Sequence, residues 1–311
     1  MLALGLLALL GVELAIYAWV AIHIADAHGA GAAVLVVVVL AVALRVALVG
    51  VSYAISLATR GATPEPDARP HALLVEFVKE VVAFTACFTV LQPFVRLFMG
   101  PPGRTFGPEG GTPLLLVHGY LCNRGLWWHM VPKLTGAGYR VHTLDLEPPF
   151  GDLDDFGRQV AQRIDEMRSA SGGRPMLLVG HSMGGLAIRA ALRVRGSTAG
   201  VLGIVSLGTP HGGTSLAPWG FGLNALNMRL SCEWLERLAK YEGGAFRVPV
   251  VSIYSTHDNF VSPPQSARLR GASHVAMPAV GHLTMCLSSR VEAKLVASLR
   301  SIEGGARTSG A

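Results

Sequence analysis

The first sixty residues contain only four fully charged side chains, Glu13, Asp26, Arg45 and Arg60, and this limits the fold more than any other feature of the chain. Leu2 to about Ile24 and Ala32 to about Ala58 are almost wholly apolar. Each run reaches the roughly 20 residues that an α-helix needs to cross the hydrocarbon core of a bilayer. Residues 1–60 are therefore predicted to form a transmembrane helical hairpin. Its turn, Asp26-Ala27-His28-Gly29-Ala30-Gly31, is short enough to demand tight antiparallel pairing. No Lys or Arg precedes the first run and a second run follows at once, which fits a cleaved secretory signal poorly. Glu13 and Arg45 fall near the middle of their helices at nearly equal depth. A charge there costs about 2.5 to 3.5 kcal/mol, so a structural pair or simple snorkelling is expected rather than an ion path.

Residues 61–111 read as a linker and an amphipathic membrane-interface helix. Thr59 to Pro70 carries three prolines and several charges, as a segment leaving a membrane would. From His71 to Gly100, Glu76, Lys79 and Glu80 cluster at helical spacing ahead of the apolar stretch Val81 to Leu91. That mixture suits a helix lying in the interface, with a third span as the rival reading. Arg60 and Arg69 follow the hairpin while its turn has no Lys or Arg, which favours a cytoplasmic catalytic domain. Pro101-Pro102-Gly103 ends the segment.

Charged residues make up only 15% of the chain, the net charge is +6 and the isoelectric point is near 9.4. The basic residues are scattered, without the dense tract or interleaved aromatics of a nucleic-acid site, so anionic lipid headgroups are the simpler partner and no nucleic acid is expected. Of the four cysteines, Cys87 lies in an apolar segment, and Cys122, Cys232 and Cys286 match no zinc spacing. A Cys232–Cys286 disulfide and free buried thiols both remain open.

After Thr112, six apolar runs alternate with helix-length intervals: Leu114 to His118, Arg140 to Leu146, Met176 to Gly180, Leu202 to Leu207, Val248 to Tyr254 and His274 to Pro278. Continuous apolar runs mean strands buried on both faces, and the alternation means a compact, six-stranded, mostly parallel α/β sheet over residues 112–301, with 302–311 as a flexible tail. In such sheets the site forms beyond the carboxyl ends of the strands. Those positions hold His118-Gly119-Tyr120, His181-Ser182-Met183, Gly208-Thr209-Pro210-His211-Gly212-Gly213, Thr256-His257-Asp258 and Gly281-His282.

A serine hydroxyl becomes a useful nucleophile only when a base takes its proton and a buried acid fixes the base's tautomer. Ser182 sits in Gly180-His181-Ser182-Met183-Gly184-Gly185, where a strand turns sharply into a helix and glycines permit the strain. His282 is the expected base, with His257 as competitor. Asp258 is the expected acid, with Asp145, at an earlier strand end, as its rival. The backbone N–H groups of Tyr120 and Met183 are the expected oxyanion donors, because peptide groups are fixed in place and need no particular side chain.

On these residues the segment from Thr112 to about Ser301 resembles the α/β-hydrolase superfamily, more closely its bacterial lipase and esterase branch, and is similar to the GPI inositol-deacylase-like group. The resemblance implies the α/β-hydrolase fold and hydrolysis of carboxylic esters through an acyl-enzyme, with no cofactor. Some lipases of this branch bind calcium near the histidine. Leu283-Thr284-Met285 supplies no carboxylate there, so no metal site is expected. The stretch between His211 and Gly244 holds Trp219, Phe221, Leu223, Leu226, Met228, Leu230, Trp234 and Leu238, and reads equally as a lid over an acyl pocket or as an ordinary crossover helix. With the hairpin ahead of it, the domain is expected to be a membrane-anchored enzyme of a bacterial inner membrane, acting on lipid or another apolar acyl ester. Acyl transfer from the same serine and a non-catalytic membrane scaffold are the alternatives.

Overall fold

The computed structural model describes residues 1–61, 69–243 and 246–308. The expected linker falls largely on residues 62–68, outside the described residues. The apolar runs form two helices, α1 (Leu2–His28) and α2 (Ala30–Thr59), joined at Gly29, whose φ of 86° a side chain would disfavour. Both are long and apolar enough to cross a membrane. Most of their surface, including Leu4, Leu9, Leu14, Val34, Leu35 and Val38, is exposed. Midway along, the Arg45 guanidinium grips Glu13 with both of its terminal nitrogens, one bond measuring 2.9 Å, and reaches the Tyr17 hydroxyl at 3.2 Å. The two charges thus meet each other.

Beyond them comes α3 (Pro70–Thr85), which runs through a π-helical turn (Ala86–Leu91) into α4 (Val95–Met99). Glu76 and Glu80 of α3 are buried, whereas Leu74, Val75, Val78 and Val82 are exposed. The helix is amphipathic with its polar stripe turned into the protein and its apolar stripe turned out. A surface helix of a soluble domain ordinarily does the reverse, so Glu76 and Glu80 must find their partners inside.

The sheet has β1 (Thr112–Val117), β2 (Tyr139–Leu144), β3 (Met176–His181), β4 (Val201–Leu207), β5 (Val250–Ser255) and β6 (Ser273–Met277), in the order β2-β1-β3-β4-β5-β6. Every pair is parallel. This is the α/β-hydrolase fold. Alternation along β1 divides the core: Leu115 and Val117 face α6 (Leu153–Ala170), α7 (Met183–Arg195) and, past the short α8 (Leu223–Asn227), α9 (Glu233–Glu242). Leu114 and Leu116 face α5 (Met130–Gly136), α10 (Ser289–Thr308), and the inner side of α3 and α4 through Ala83, Cys87, Leu91 and Met99. Helices α3 and α4 are therefore part of this core, not an appendage to it. Helix α10 continues through Thr308 and buries Ile302, where a flexible tail is expected from residue 302. An apolar side chain recurring on the core face carries the helix onward; residues 309–311 lie outside the described residues.

Candidate active site

Ser182 stands between β3 and α7 with φ 54° and ψ −128°, a left-handed conformation that a serine adopts at a cost of about 1–3 kcal/mol. Its neighbours make the turn possible. A Cβ on Gly184 would lie 2.2 Å from the carbonyl oxygen of Val117, and one on Gly180 would lie 2.5 Å from the Gly185 nitrogen. The Ser182 N–H donates to Leu207 O at 2.8 Å, tying the elbow to β4. Helix α7 begins at Met183, so its positive end faces the serine.

Asp258 follows β5 and is buried. Its Oδ1 accepts the N–H groups of Phe260 and Val261, both at 2.8 Å, and its Oδ2 accepts from His282 Nδ1 at 2.9 Å. One oxygen shapes the loop and the other holds the imidazole. Burial pulls the His282 pKa down, but the charge and hydrogen bond of Asp258, with the charge of Glu80, lift it above the ordinary histidine value. Gly208, at the end of β4, lets these groups close in: a Cβ there would stand 3.2 Å from Asp258 Oδ2 and 3.4 Å from His282 Nδ1. The His282 ring lies 4.7 Å from the His181 ring, centroid to centroid, and His181 belongs to the serine elbow. Among the described residues no hydrogen bond joins the Ser182 hydroxyl to His282, a looseness common in sites without substrate.

The rival residues are engaged elsewhere. Asp145 accepts the Arg124 N–H at 2.8 Å and pairs with the Arg124 guanidinium. His257 Nδ1 meets Thr256 Oγ1 at 2.8 Å. His118 accepts the Leu146 N–H at 3.0 Å, and burial lowers its pKa. Burial with the Arg189 charge likewise keeps His211 neutral beside Ser206 Oγ. The four thiols are free, so the Cys232–Cys286 pairing does not form; Cys286 is buried and Cys232 donates to Asn227 O at 3.1 Å.

Several contributors carry no sequence motif. Asn259 Oδ1 accepts the His282 N–H at 3.0 Å, while its Nδ2 donates to Ser52 Oγ of α2 at 2.8 Å. Ser56 donates to the carbonyl of Asp258 at 2.8 Å, Thr59 meets Ser262 Oγ at 2.9 Å, and Arg60 donates to Thr256 O at 2.9 Å. The last two turns of an apolar helix thus brace the loop that carries Asp258. Glu80 of α3 holds the loop that carries His282.

The stretch expected as lid or crossover divides between the two. Helix α9 buries Trp234, Leu235 and Leu238 as a crossover helix does. Ahead of it, Trp219 is 74% and Phe221 77% exposed, with Leu223 and Leu226 beside them. This flap is held over the elbow: the Tyr120 hydroxyl accepts the Phe221 N–H and donates to the Phe221 carbonyl, both at 2.8 Å. Asn224 donates to Pro149 O at 2.9 Å and touches Met183 Sδ at 3.6 Å. Beneath it Ser182 is only 7% exposed.

Residues 112–231 match the family model of the alpha/beta hydrolase fold, the fold that the six-stranded parallel sheet displays. It is 30% identical over 93 residues to a probable esterase of Oryza sativa subsp. indica, covering 27% of this chain and 34% of that protein. It is 36% identical over 78 residues to the pimeloyl-[acyl-carrier protein] methyl ester esterase of Yersinia enterocolitica, covering 25% of this chain and 30% of that protein. The chain thus spans about a third of the length of the curated relatives it matches. Among solved structures, the mature lipase of Bacillus licheniformis superimposes with a TM-score of 0.54 at 19% identity, over 63% of this chain and 99% of that one. Aspergillus fumigatus lipase B does so with a TM-score of 0.52 at 23% identity, over 58% and 52%. The matches leave α1 to α4 outside the family region.

Proposed function

We propose that this chain is a membrane-anchored serine hydrolase of carboxylic esters, acting on lipid or another apolar acyl ester, with Ser182, His282 and Asp258 as its catalytic residues. The observation that carries the reading is the buried Asp258–His282 pair, 2.9 Å long, beside a strained serine at a helix N-terminus. Asp258 keeps the proton on His282 Nδ1, which leaves Nε2 free to accept one. His282 then takes the Ser182 proton as Oγ bonds to the ester carbonyl, and the amides of Met183 and Tyr120 receive the oxyanion. When the tetrahedral species collapses, the alcohol leaves with the proton from His282. Water, deprotonated by the same imidazole, attacks the acyl-enzyme; the acid is released and Ser182 recovers its proton.

Membrane anchoring is supported by the hairpin and by where it stands. The C-terminal turns of α2 bond to the acid loop, and the amine of Met1 lies 2.7 Å from Glu147, beyond the end of β2. Both ends of the hairpin meet the carboxyl edge of the sheet, so a bilayer around it would lie over the mouth of the site, near the exposed Trp219 and Phe221. Lipid esters are the substrates this arrangement brings closest. Two spans put the domain on the same side as the N-terminus, and Arg60 and Arg69 favour the cytoplasmic face of a bacterial inner membrane.

The test is hydrolysis of p-nitrophenyl esters of graded chain length by the full chain in detergent and by Ser182→Ala. The variant should fold and lose essentially all turnover and fluorophosphonate labelling; activity that survives the substitution refutes the assignment. Added alcohols, with products analysed, report on acyl transfer.

A further inference from the structure

The loop that carries the base, Gly281 to Thr284, has little regular structure of its own, yet each backbone N–H in it is taken by a side chain from elsewhere. Gly281 N–H reaches Glu76 Oε1 at 3.4 Å and His282 N–H reaches Asn259 Oδ1 at 3.0 Å. Leu283 N–H donates to Glu80 Oε1 at 2.9 Å, and Thr284 donates to Glu80 Oε2 with its N–H at 2.9 Å and its hydroxyl at 2.7 Å. The carbonyl of His282 meets His181 Nε2 at 3.1 Å. Glu80 is fully buried, at 0% exposure, and comes from α3, outside the region shared with the family.

We propose that Glu80 is a positioning residue: the two oxygens of its buried carboxylate hold Leu283 and Thr284, and so fix the His282 imidazole against Asp258 and toward Ser182. The inference rests on the ester-hydrolase reading above. Burying a carboxylate is costly unless hydrogen bonds replace water, and all three bonds that do so here come from the two residues after the base. Burial pushes the Glu80 pKa up while the hydrogen bonds from Leu283 and Thr284 pull it down; both oxygens accept, the arrangement of an ionised carboxylate. Gly281 is part of the device, because a Cβ there would lie 2.3 Å from Glu80 Oε2. A displaced Glu80 would release the loop at two consecutive amides, and misplacing a catalytic group by about 1 Å can cost about 100-fold.

The charge matters as well as the shape. Around His282 stand Asp258 from the acid loop, His181 from the elbow and Glu80 from α3; around Glu80 stand Glu76 with its partner Lys79, Tyr53 of α2, Cys87 and Cys286. Glu80 adds to the lift that Asp258 gives the imidazole. A neutral replacement lowers the pKa of His282, so the acid limb of the pH–kcat/KM profile, where His282 loses its proton to become a base, moves to lower pH. A residue that merely packs would leave that limb where it is.

The experiment measures kcat, KM and the pH profile of the full chain in detergent with a short p-nitrophenyl ester, for wild type, Ser182→Ala, Glu80→Gln and Gly281→Ala. Glu80→Gln keeps the volume but turns one acceptor into a donor facing an N–H. It should lose about 10- to 100-fold in kcat with KM within about twofold, and shift the acid limb downward. Gly281→Ala retains the carboxylate but displaces it, and should show the same loss in kcat; it decides the matter if Glu80→Gln does not fold. Wild-type kcat in either folded variant, or a loss without movement of the limb in Glu80→Gln, overturns the proposal while leaving the parent reading intact. A wild type whose hydrolysis does not depend on Ser182 overturns both.

Discussion

Replacing Asp258 with Asn tests the acid assignment, because the structure dictates what the amide must do. Asp258 Oδ1 accepts from Phe260 and Val261 while Oδ2 accepts from His282. An Asn that keeps its oxygen on the two backbone N–H groups presents its NH2 to His282 Nδ1. That nitrogen must then be unprotonated, which places the ring proton on Nε2 and leaves no base for Ser182. The alternative is to flip the amide. His282 then regains its acceptor, but two buried N–H donors face an NH2, at about 1–3 kcal/mol each. The flip thus costs about 2–6 kcal/mol, or roughly 30- to 20,000-fold in the population of the competent form. The stabilisation of the imidazolium by a full charge is lost in addition. A fall in kcat/KM of about 1,000- to 10,000-fold follows, the scale known for acid-to-amide changes in serine triads.

The assay is hydrolysis of a short p-nitrophenyl ester from pH 5 to 9, with thermal unfolding as control. In wild type the acid limb should lie above about 6.5, because a raised His282 pKa keeps the base protonated to higher pH. The stability sign follows: the Asp258–His282 pair contributes fully below the unfolded histidine pKa, and its contribution is lost as pH rises through the folded one. In Asp258→Asn, burial acts on the imidazole with only the smaller Glu80 charge left to oppose it, and any residual limb moves toward acid. Asp145→Asn serves as comparison: it weakens a pair with Arg124 and should lower the melting temperature while leaving turnover within about threefold. If folded Asp258→Asn stays within tenfold of wild type, Asp258 only shapes its loop and the reasoning fails.

Two further substitutions probe the elbow and the flap. Gly184→Ala puts a Cβ 2.2 Å from the carbonyl oxygen of Val117, and neither backbone can retreat without moving β1 or α7; a loss of about 2–4 kcal/mol in stability should appear as a lower urea midpoint, and an unchanged midpoint would contradict the packing. Tyr120→Phe keeps the backbone amide but removes both bonds to Phe221, so the flap should loosen and hydrolysis of a soluble short ester rise about two- to tenfold, whereas an unchanged or lower rate would mean that the flap does not limit access to Ser182.

How much of this the sequence discloses depends on who supplies the partner for each group. Strands β1, β3, β4 and β5 are legible to within a residue or two because a strand buried on both faces must be apolar throughout, whereas the edge strands β2, half-buried, and β6, mostly exposed, are legible from the alternation with helices rather than from burial. Ser182 is legible because its turn needs glycine at 180 and 184, and glycine in a fixed pattern is visible as text. That Asp258 and His282 could meet can be read from their places at strand ends, whereas the engagement of Asp145 by Arg124 cannot. The nearly equal places of Glu13 and Arg45 in their helices anticipate that they can meet, but leave simple snorkelling open until the pair itself is seen.

Glu80 is different in kind. Glu76, Lys79 and Glu80 at helical spacing announce an amphipathic helix, but spacing says nothing about which side faces out. The direction is set by backbone amides some 200 positions away, at Leu283 and Thr284, and a free N–H leaves no trace in the amino-acid letters. Ser52 and Ser56 are hidden for the same reason: within an apolar helix they read as small tolerated residues until Asn259 and the carbonyl of Asp258 are found beside them. The flap is ambiguous for a related cause, since Trp219 and Trp234 look alike in sequence, while the first region is held by the Tyr120 hydroxyl on Phe221 and by Asn224 on Pro149. The groups that sequence reading misses are those whose partners lie some 200 positions away, most of them backbone. Because a helix that turns carboxylates inward leaves Leu74, Val75, Val78 and Val82 to face outward, the demand of the base loop for acceptors and the outward apolar face of α3 are two consequences of one arrangement. A bilayer seated on that face would favour the same orientation of α3 that holds His282 in place.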